Sequence, residues 1–443
     1  MKAPGFIKST VSTLATRLLI MVLASLIGIV AARALGPADL GAFTVALALP
    51  ALVSLFLQFG LGMANVYYMG QGKYPVDVLL GNALSLSLIT SGIAVPVYIA
   101  LIPLLTRTVA AEIEPGVLML VGLSIPPALV GGHLSFILLG LQDIQEYNLL
   151  RLIRNGGTLI LLILFILVFQ MRVMGAVLAV TLAWTVMVVR AFWALRGKVR
   201  IRLTWNWEIL RECLKLGAKG YLGNLFQFFN YRLDVLLLGF FMGVTAVGLY
   251  ATAVAAAEAL WYLPEAVGTV LFPRIALSSS EEASSFTPVV TRSVFFLTLI
   301  FGVIMCALSY PLITVLFGAN YEDSVSPLRL LLPGVVILSI SKVLSSDLGG
   351  RGLLLYNTLA ALSGLAATVA LDLILIPRFG INGAAIASSV SYSLNTVVVL
   401  CAYVNASGKP LVQVLIPQPA DLKIYFRLWD RLSGAAFLKG DRQ

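Results

Sequence analysis

The chain has 443 residues, of which 60% are hydrophobic and 11% charged, with a mean hydropathy of +0.98 and a net charge of +10. A water-soluble domain carries about 25% charged residues, so a soluble fold of this length is excluded and apolar runs become the unit to count. Three scattered cysteines, Cys213, Cys306 and Cys401, and the single His133 lack disulfide or metal spacing, so no cofactor is expected.

An apolar run of about 20 residues crosses the ~30 Å of bilayer hydrocarbon. The segment after Lys8 runs apolar with no early small-residue cleavage site, which predicts a first transmembrane helix over 11–34 rather than a signal peptide. It carries Arg17, with Thr13 and Thr10 at i−4 and i−7. Further spans are predicted at 40–69, 78–105, 115–140, 149–169 and 173–195. Ser54, Gln58 and Asn65 give the second a weak polar face suited to helix–helix hydrogen bonds. Near the start of the fifth, Arg151 and Arg154 are i,i+3 neighbours.

A polar, basic linker over 196–215 leads to spans at 216–241, 245–272, 289–317, 326–348, 352–376 and 380–404, twelve in total. Lys215 and Lys219 open the seventh at i,i+4, and Arg17, Arg151, Arg154 and Lys219 together form a candidate cationic vestibule. Snorkelling of each cation to lipid phosphates is the alternative. Along the seventh span Asn224, Gln227, Tyr231 and Asp234 make one polar stripe that faces water rather than lipid. Arg232 points elsewhere and needs a partner on another helix.

In the eighth span Glu258 falls near the midplane, and Trp261, Tyr262 and Glu265 continue its face. Glu258 and Trp261 are candidates for contact with sugars or coupling protons; a Glu258–Arg232 ion pair holding helices together is the structural alternative. Lys342 in the tenth span is a further cavity candidate, whereas Arg329, Asp347 and Asp372 are expected at interfaces. The stretch Gly349–Gly352 is not a phosphate loop, since no G-x-x-x-x-G-K-[ST] occurs, and ATP hydrolysis is not expected.

After residue 405 the chain turns polar, and Leu422, Tyr425, Phe426, Trp429, Leu432 and Ala436 face away from Lys423, Arg427 and Arg431. That pattern predicts a basic amphipathic helix on the membrane surface; docking to a cytoplasmic or membrane-bound partner is the alternative. Placing both termini in the cytoplasm collects most Lys and Arg inside, so the +10 charge points to anionic lipids and not to nucleic acid. The outer loops are short, which leaves no room for an extracytoplasmic catalytic domain and argues against an enzyme.

The halves echo one another. Gly36–Phe43 matches Gly243–Tyr250 and Pro126 matches Pro333 at an offset of 207, Tyr147-Asn148 matches Tyr356-Asn357 at 209, and Met174–Val177 matches Asn382–Ala385 at 208. Six spans per half give parallel repeats, hence an all-α membrane protein of two six-helix bundles, 1–195 and 216–404, around a central cavity.

Ala32–Gly41 after the first helix resembles the start of the Wzx-like polysaccharide-biosynthesis flippases of the multidrug/oligosaccharidyl-lipid/polysaccharide exporter superfamily. Tyr231–Asp234, Gly248–Tyr250, Phe272–Arg274, Phe317–Tyr321 and Ile376–Ala385 are similar to that family in the same order. The resemblance implies a plasma-membrane flippase that moves a polyprenyl-diphosphate-linked oligosaccharide to the outer leaflet by alternating access, with other polysaccharide-assembly membrane proteins as the partners its tail could dock. Its alternative is an ion-coupled exporter of small amphiphiles, against which stands the lack of an acid within the first span.

Overall fold

The computed structural model describes residues 3–416, with side chains from Ala15 onward except those of Lys219 and Ser280. The expected amphipathic helix at 422–436 and the side chains of Thr10 and Thr13 lie outside the described residues. The protein is an all-α membrane protein. Its helices are α1 (Ala3–Gln58), α2 (Leu61–Gln71), α3 (Val76–Leu105), α4 (Pro115–Gly122), α5 (Ile125–Gly140), α6 (Ile144–Leu162) and α7 (Arg172–Leu195). There follow α8 (Trp207–Met242), α9 (Val244–Glu258), α10 (Tyr262–Leu277), α11 (Ser280–Ala307), α12 (Ser309–Leu316), α13 (Val325–Gly350), α14 (Leu354–Ser407) and α15 (Leu411–Leu415).

Among the described residues ten helical segments are long and apolar enough to cross a membrane. Two of them, of 57 and 54 residues, far exceed the ~20 that one crossing needs. Each is a pair of helices joined at a glycine with non-helical backbone, Gly36 (φ 75°) in α1 and Gly380 (φ 57°) in α14. A side chain at such φ values is strained, which is why glycine occupies both joints. Repeat-related Gly36 and Gly243 share nearly one conformation, φ 75°, ψ 173° against φ 79°, ψ 177°, so the two halves turn alike between their first two helices.

Interruptions inside spans follow from local chemistry. Pro126 and Pro127 begin α5 after a break at Leu123–Ser124, and Pro264 follows a short 3₁₀ turn over Ala259–Trp261. The second span is broken at Phe59 and Gly60, both with positive φ. The basic linker is shorter than expected, because α8 starts at Trp207. Asn206 caps it by accepting from the Ile209 amide, Glu208 favours its first turn, and Leu210 and Cys213 are buried among side chains of the first half.

One large apolar core joins the halves, running from Ala31, Val45 and Leu118 to Tyr250, Leu328 and Val335. A second core, from Leu61 to Cys213, lies within the first half and the start of α8. The seam between halves is sealed by backbone contact at two places. At Gly41 a Cβ would lie 1.7 Å from the Val244 carbonyl oxygen, and at Gly60 one would lie 2.5 Å from that of Gly217. Around the periphery, side chains such as Trp193, Val189 and Ile160 face outward, where only lipid can cover them.

Candidate functional site

Along the seam three adjoining cavities share walls. The first, of about 460 Å³, is lined by Arg17 of α1, Gln227 and Tyr231 of α8, Glu265 of α10, Lys342 of α13 and Asn395 of α14. Glu265 also borders the second, of about 320 Å³, where Ser25 and Tyr262 meet with oxygens 3.2 Å apart. Gly28 and Glu258 connect the second to a third, of about 350 Å³, lined by Phe43, Thr44, Phe228 and Arg232.

In the first cavity Glu265 stands between two cations. Arg17 donates to its Oε2 at 3.3 Å and Lys342 to its Oε1 at 2.9 Å. The Lys342 ammonium also sits 4.4 Å from the centre of the Trp261 ring and 5.5 Å from that of Tyr231. Tyr231, Trp261 and Tyr392 pack on one another with centroids 4.9–5.6 Å apart. The 3₁₀ turn at Ala259–Trp261 sets Trp261 against Tyr231, while the indole N–H donates to the Val335 carbonyl at 3.3 Å. The Gln227 Nε2 is buried with no hydrogen-bond partner among the described residues.

Four of the sequence candidates, Arg17, Gln227, Tyr231 and Lys342, therefore line one cavity, and Trp261 backs it. Glu258 stands in the adjoining cavities, paired with Arg232 through two contacts of 3.2 Å in a fork-to-fork geometry. The structure separates the others. Arg154 lies over the Trp184 ring at 4.8 Å and Arg151 near that of Tyr147 at 5.8 Å, both within the first half. Lys219 lies on α8, but its side chain is outside the described ones. Asp234 is fully buried, accepting from the Tyr250 hydroxyl at 2.6 Å and the Val235 amide at 2.8 Å, so the polar stripe of α8 turns from cavity to core along its length.

Two of the residues expected near span ends are buried within the protein. Asp347 is buried, accepts from Thr287 at 2.6 Å and pairs with Arg351. Asp372 is buried on α14 with neither carboxylate oxygen hydrogen-bonded among the described residues. Glu265 was visible in sequence only as a continuation of the Glu258 face. Its central place comes from α1, 248 residues away, and no local pattern announces such a contact. Outside the spans, Lys73 and Tyr74 both reach Glu212 of α8, at 2.7 and 2.5 Å. The hydrogen bonds from Lys73 and then Tyr74 hold the Glu212 carboxyl below its ordinary range, and the carboxylate holds the Lys73 ammonium above its own.

The sequence pattern of the polysaccharide biosynthesis protein family matches residues 30–326, more than half of the chain. The chain is 24% identical over 392 residues to a probable low-salt glycan biosynthesis flippase, Agl15, of Haloferax volcanii, covering 83% of this chain and 76% of that one. It is 29% identical over 222 residues to a probable flippase, AglR, of the same organism, covering 45% and 42%. Among solved structures it is similar to an inward-facing multidrug resistance MATE family transporter of the MOP superfamily (TM-score 0.71, 18% identity, 89% of this chain and 98% of that one). It is also similar to the lipid II flippase MurJ in an inward closed conformation (TM-score 0.70, 15% identity, 98% and 100%). At these identities the structural likeness establishes a membrane-transporter fold.

Proposed function

The chain belongs to the polysaccharide biosynthesis protein family, and from that premise we propose that it is a flippase carrying a polyprenyl-diphosphate-linked oligosaccharide from the inner to the outer leaflet. The observation that carries the reading is the cavity where Arg17 and Lys342 flank an aromatic wall, built jointly by helices of both halves. A diphosphate with several sugars cannot cross hydrocarbon unaided, because each charged group costs several kcal/mol there. Fixed cations answer the diphosphate, and flat aromatic faces answer the apolar faces of sugar rings, while the prenyl chain stays in lipid. The relatives named as glycan biosynthesis flippases support the same substrate class.

Two bundles, 1–195 and 216–404, rock about their seam and expose the cavity to each side in turn. Both termini lie in the cytoplasm, which puts the Gly41–Gly248 contact outside and the Arg17–Glu265 pair toward the inner face of a plasma membrane. No bond of the substrate is made or broken, and an ion or substrate gradient supplies the direction. Transbilayer movement of a labelled polyprenyl-diphosphate oligosaccharide in proteoliposomes tests the reading. Movement of small cationic dyes in its place would assign an amphiphile exporter instead.

A further inference from the structure

We propose that Glu265 is a resident anion of the substrate site, holding Arg17 and Lys342 until a diphosphate takes both cations from it. This deepens the flippase reading and rests on it. One carboxylate serves two cations, so the cluster keeps an excess positive charge that only an incoming anion can neutralise. Each carboxylate oxygen already takes one cation, the bidentate arrangement that neighbouring phosphoryl oxygens also offer. The Glu265 side chain is 35% exposed and lines the cavity, whereas Lys342, at 15%, is held against Trp261. Gln227 lines the same cavity, and its Nε2 has no hydrogen-bond partner among the described residues.

The two ion pairs differ in what they join. Lys342 and Glu265 both belong to the second half, but Arg17 belongs to the first, so the Arg17–Glu265 pair ties the halves across the seam. A partly exposed pair of this kind contributes little on its own, which lets a multiply charged ligand displace it. Exchange of Glu265 for diphosphate then cuts the tie at the moment the site fills. After release, the carboxylate returns to its cations and resets the seam.

The test uses the full chain in nanodiscs, with farnesyl diphosphate as probe and farnesol as the tail-only control, read by titration calorimetry. Wild-type protein is expected to prefer the diphosphate, and Arg17→Met and Lys342→Met to lose that preference. Glu265→Gln, which removes the competitor, is expected to bind the diphosphate about tenfold more tightly, the counterpart of one lost charged contact. Glu265→Asp keeps the competing charge and should bind the diphosphate more weakly than Glu265→Gln does. In flipping assays Glu265→Gln should lower KM and kcat together, because the anion is no longer expelled. Binding by Glu265→Gln equal to or weaker than wild type overturns the displacement role and leaves the flippase reading standing. Equal binding of farnesol and farnesyl diphosphate by the wild type overturns both.

Discussion

Gly41 and Gly248, equivalent positions in the two halves (248 − 41 = 207), pack backbone to backbone: a Cβ on Gly248 would lie 1.9 Å from the Pro37 carbonyl oxygen and 3.0 Å from the Gly41 amide nitrogen. No side chain can be inserted there without separating α1 from α9. Gly41→Ala and Gly248→Ala should each lower thermal stability in detergent and cut flipping at least tenfold. Gly132→Ala on α5, where a Cβ meets nothing within 4 Å, should raise stability by about 0.5–1 kcal/mol, as alanine replaces glycine in a helix. Thermal unfolding of the three variants checks both signs.

Arg232 and Glu258 are a partly exposed pair inside the membrane, so removing either strands its partner. Glu258→Gln should destabilise the protein by about 1–3 kcal/mol, the range for hydrogen bonds to charged groups. The double variant Arg232→Met with Glu258→Met should recover most of that loss, because a well-packed apolar pair replaces an ion pair at little cost. A double-mutant cycle in unfolding measures the recovery; no recovery would mean that the cavity needs the charges themselves.

Arg154 and Lys342 each pair with an indole, but only Lys342 does so in the shared cavity. Lys342→Met should raise the KM for a lipid-linked oligosaccharide by an order of magnitude. Arg154→Gln should act mainly on stability, by about 0.5–1 kcal/mol for a lost cation–π contact. Initial flipping rates against substrate concentration separate the two.

The Lys73–Glu212–Tyr74 contact gives stability a defined dependence on pH. Glu212 titrates below its usual 4.5 when folded, so its contribution is present above that value and is lost as pH falls through the lowered pKa. Lys73 titrates above 10.5 when folded, so its share is present below that value and is lost as pH rises through the raised one. Between about pH 5 and 10 the contact should be flat. Glu212→Gln should remove both limbs in unfolding followed across this range.

Much of this arrangement is legible in the sequence because it follows from periodicity and punctuation. Apolar run length marked the spans, the Gly36/Gly243 echo marked two turns of matching backbone, and the need of Arg232 for a partner on another helix left its pairing with Glu258 as one of two readings, the one the structure shows. Contacts that depend on how distant helices rotate were not legible. Asp234 follows Tyr231 on the stripe of α8, yet α9 and α14 close over it through Tyr250 and Ser388. The four-cation vestibule assumed one shared face, whereas α6 turns Arg151 and Arg154 toward aromatics of their own half. The start of α8 was hidden because Arg211 and Lys215 read as linker, while Leu210 and Cys213 of the same helix are buried.

The most direct measurement is leaflet accessibility of a fluorescent polyprenyl-diphosphate oligosaccharide in proteoliposomes containing the purified full chain, with and without a proton or sodium gradient. The account predicts protein-dependent appearance of the label on the far leaflet, lost in the Arg17→Met, Lys342→Met double variant. Movement no faster than in protein-free vesicles, under every gradient, would contradict it.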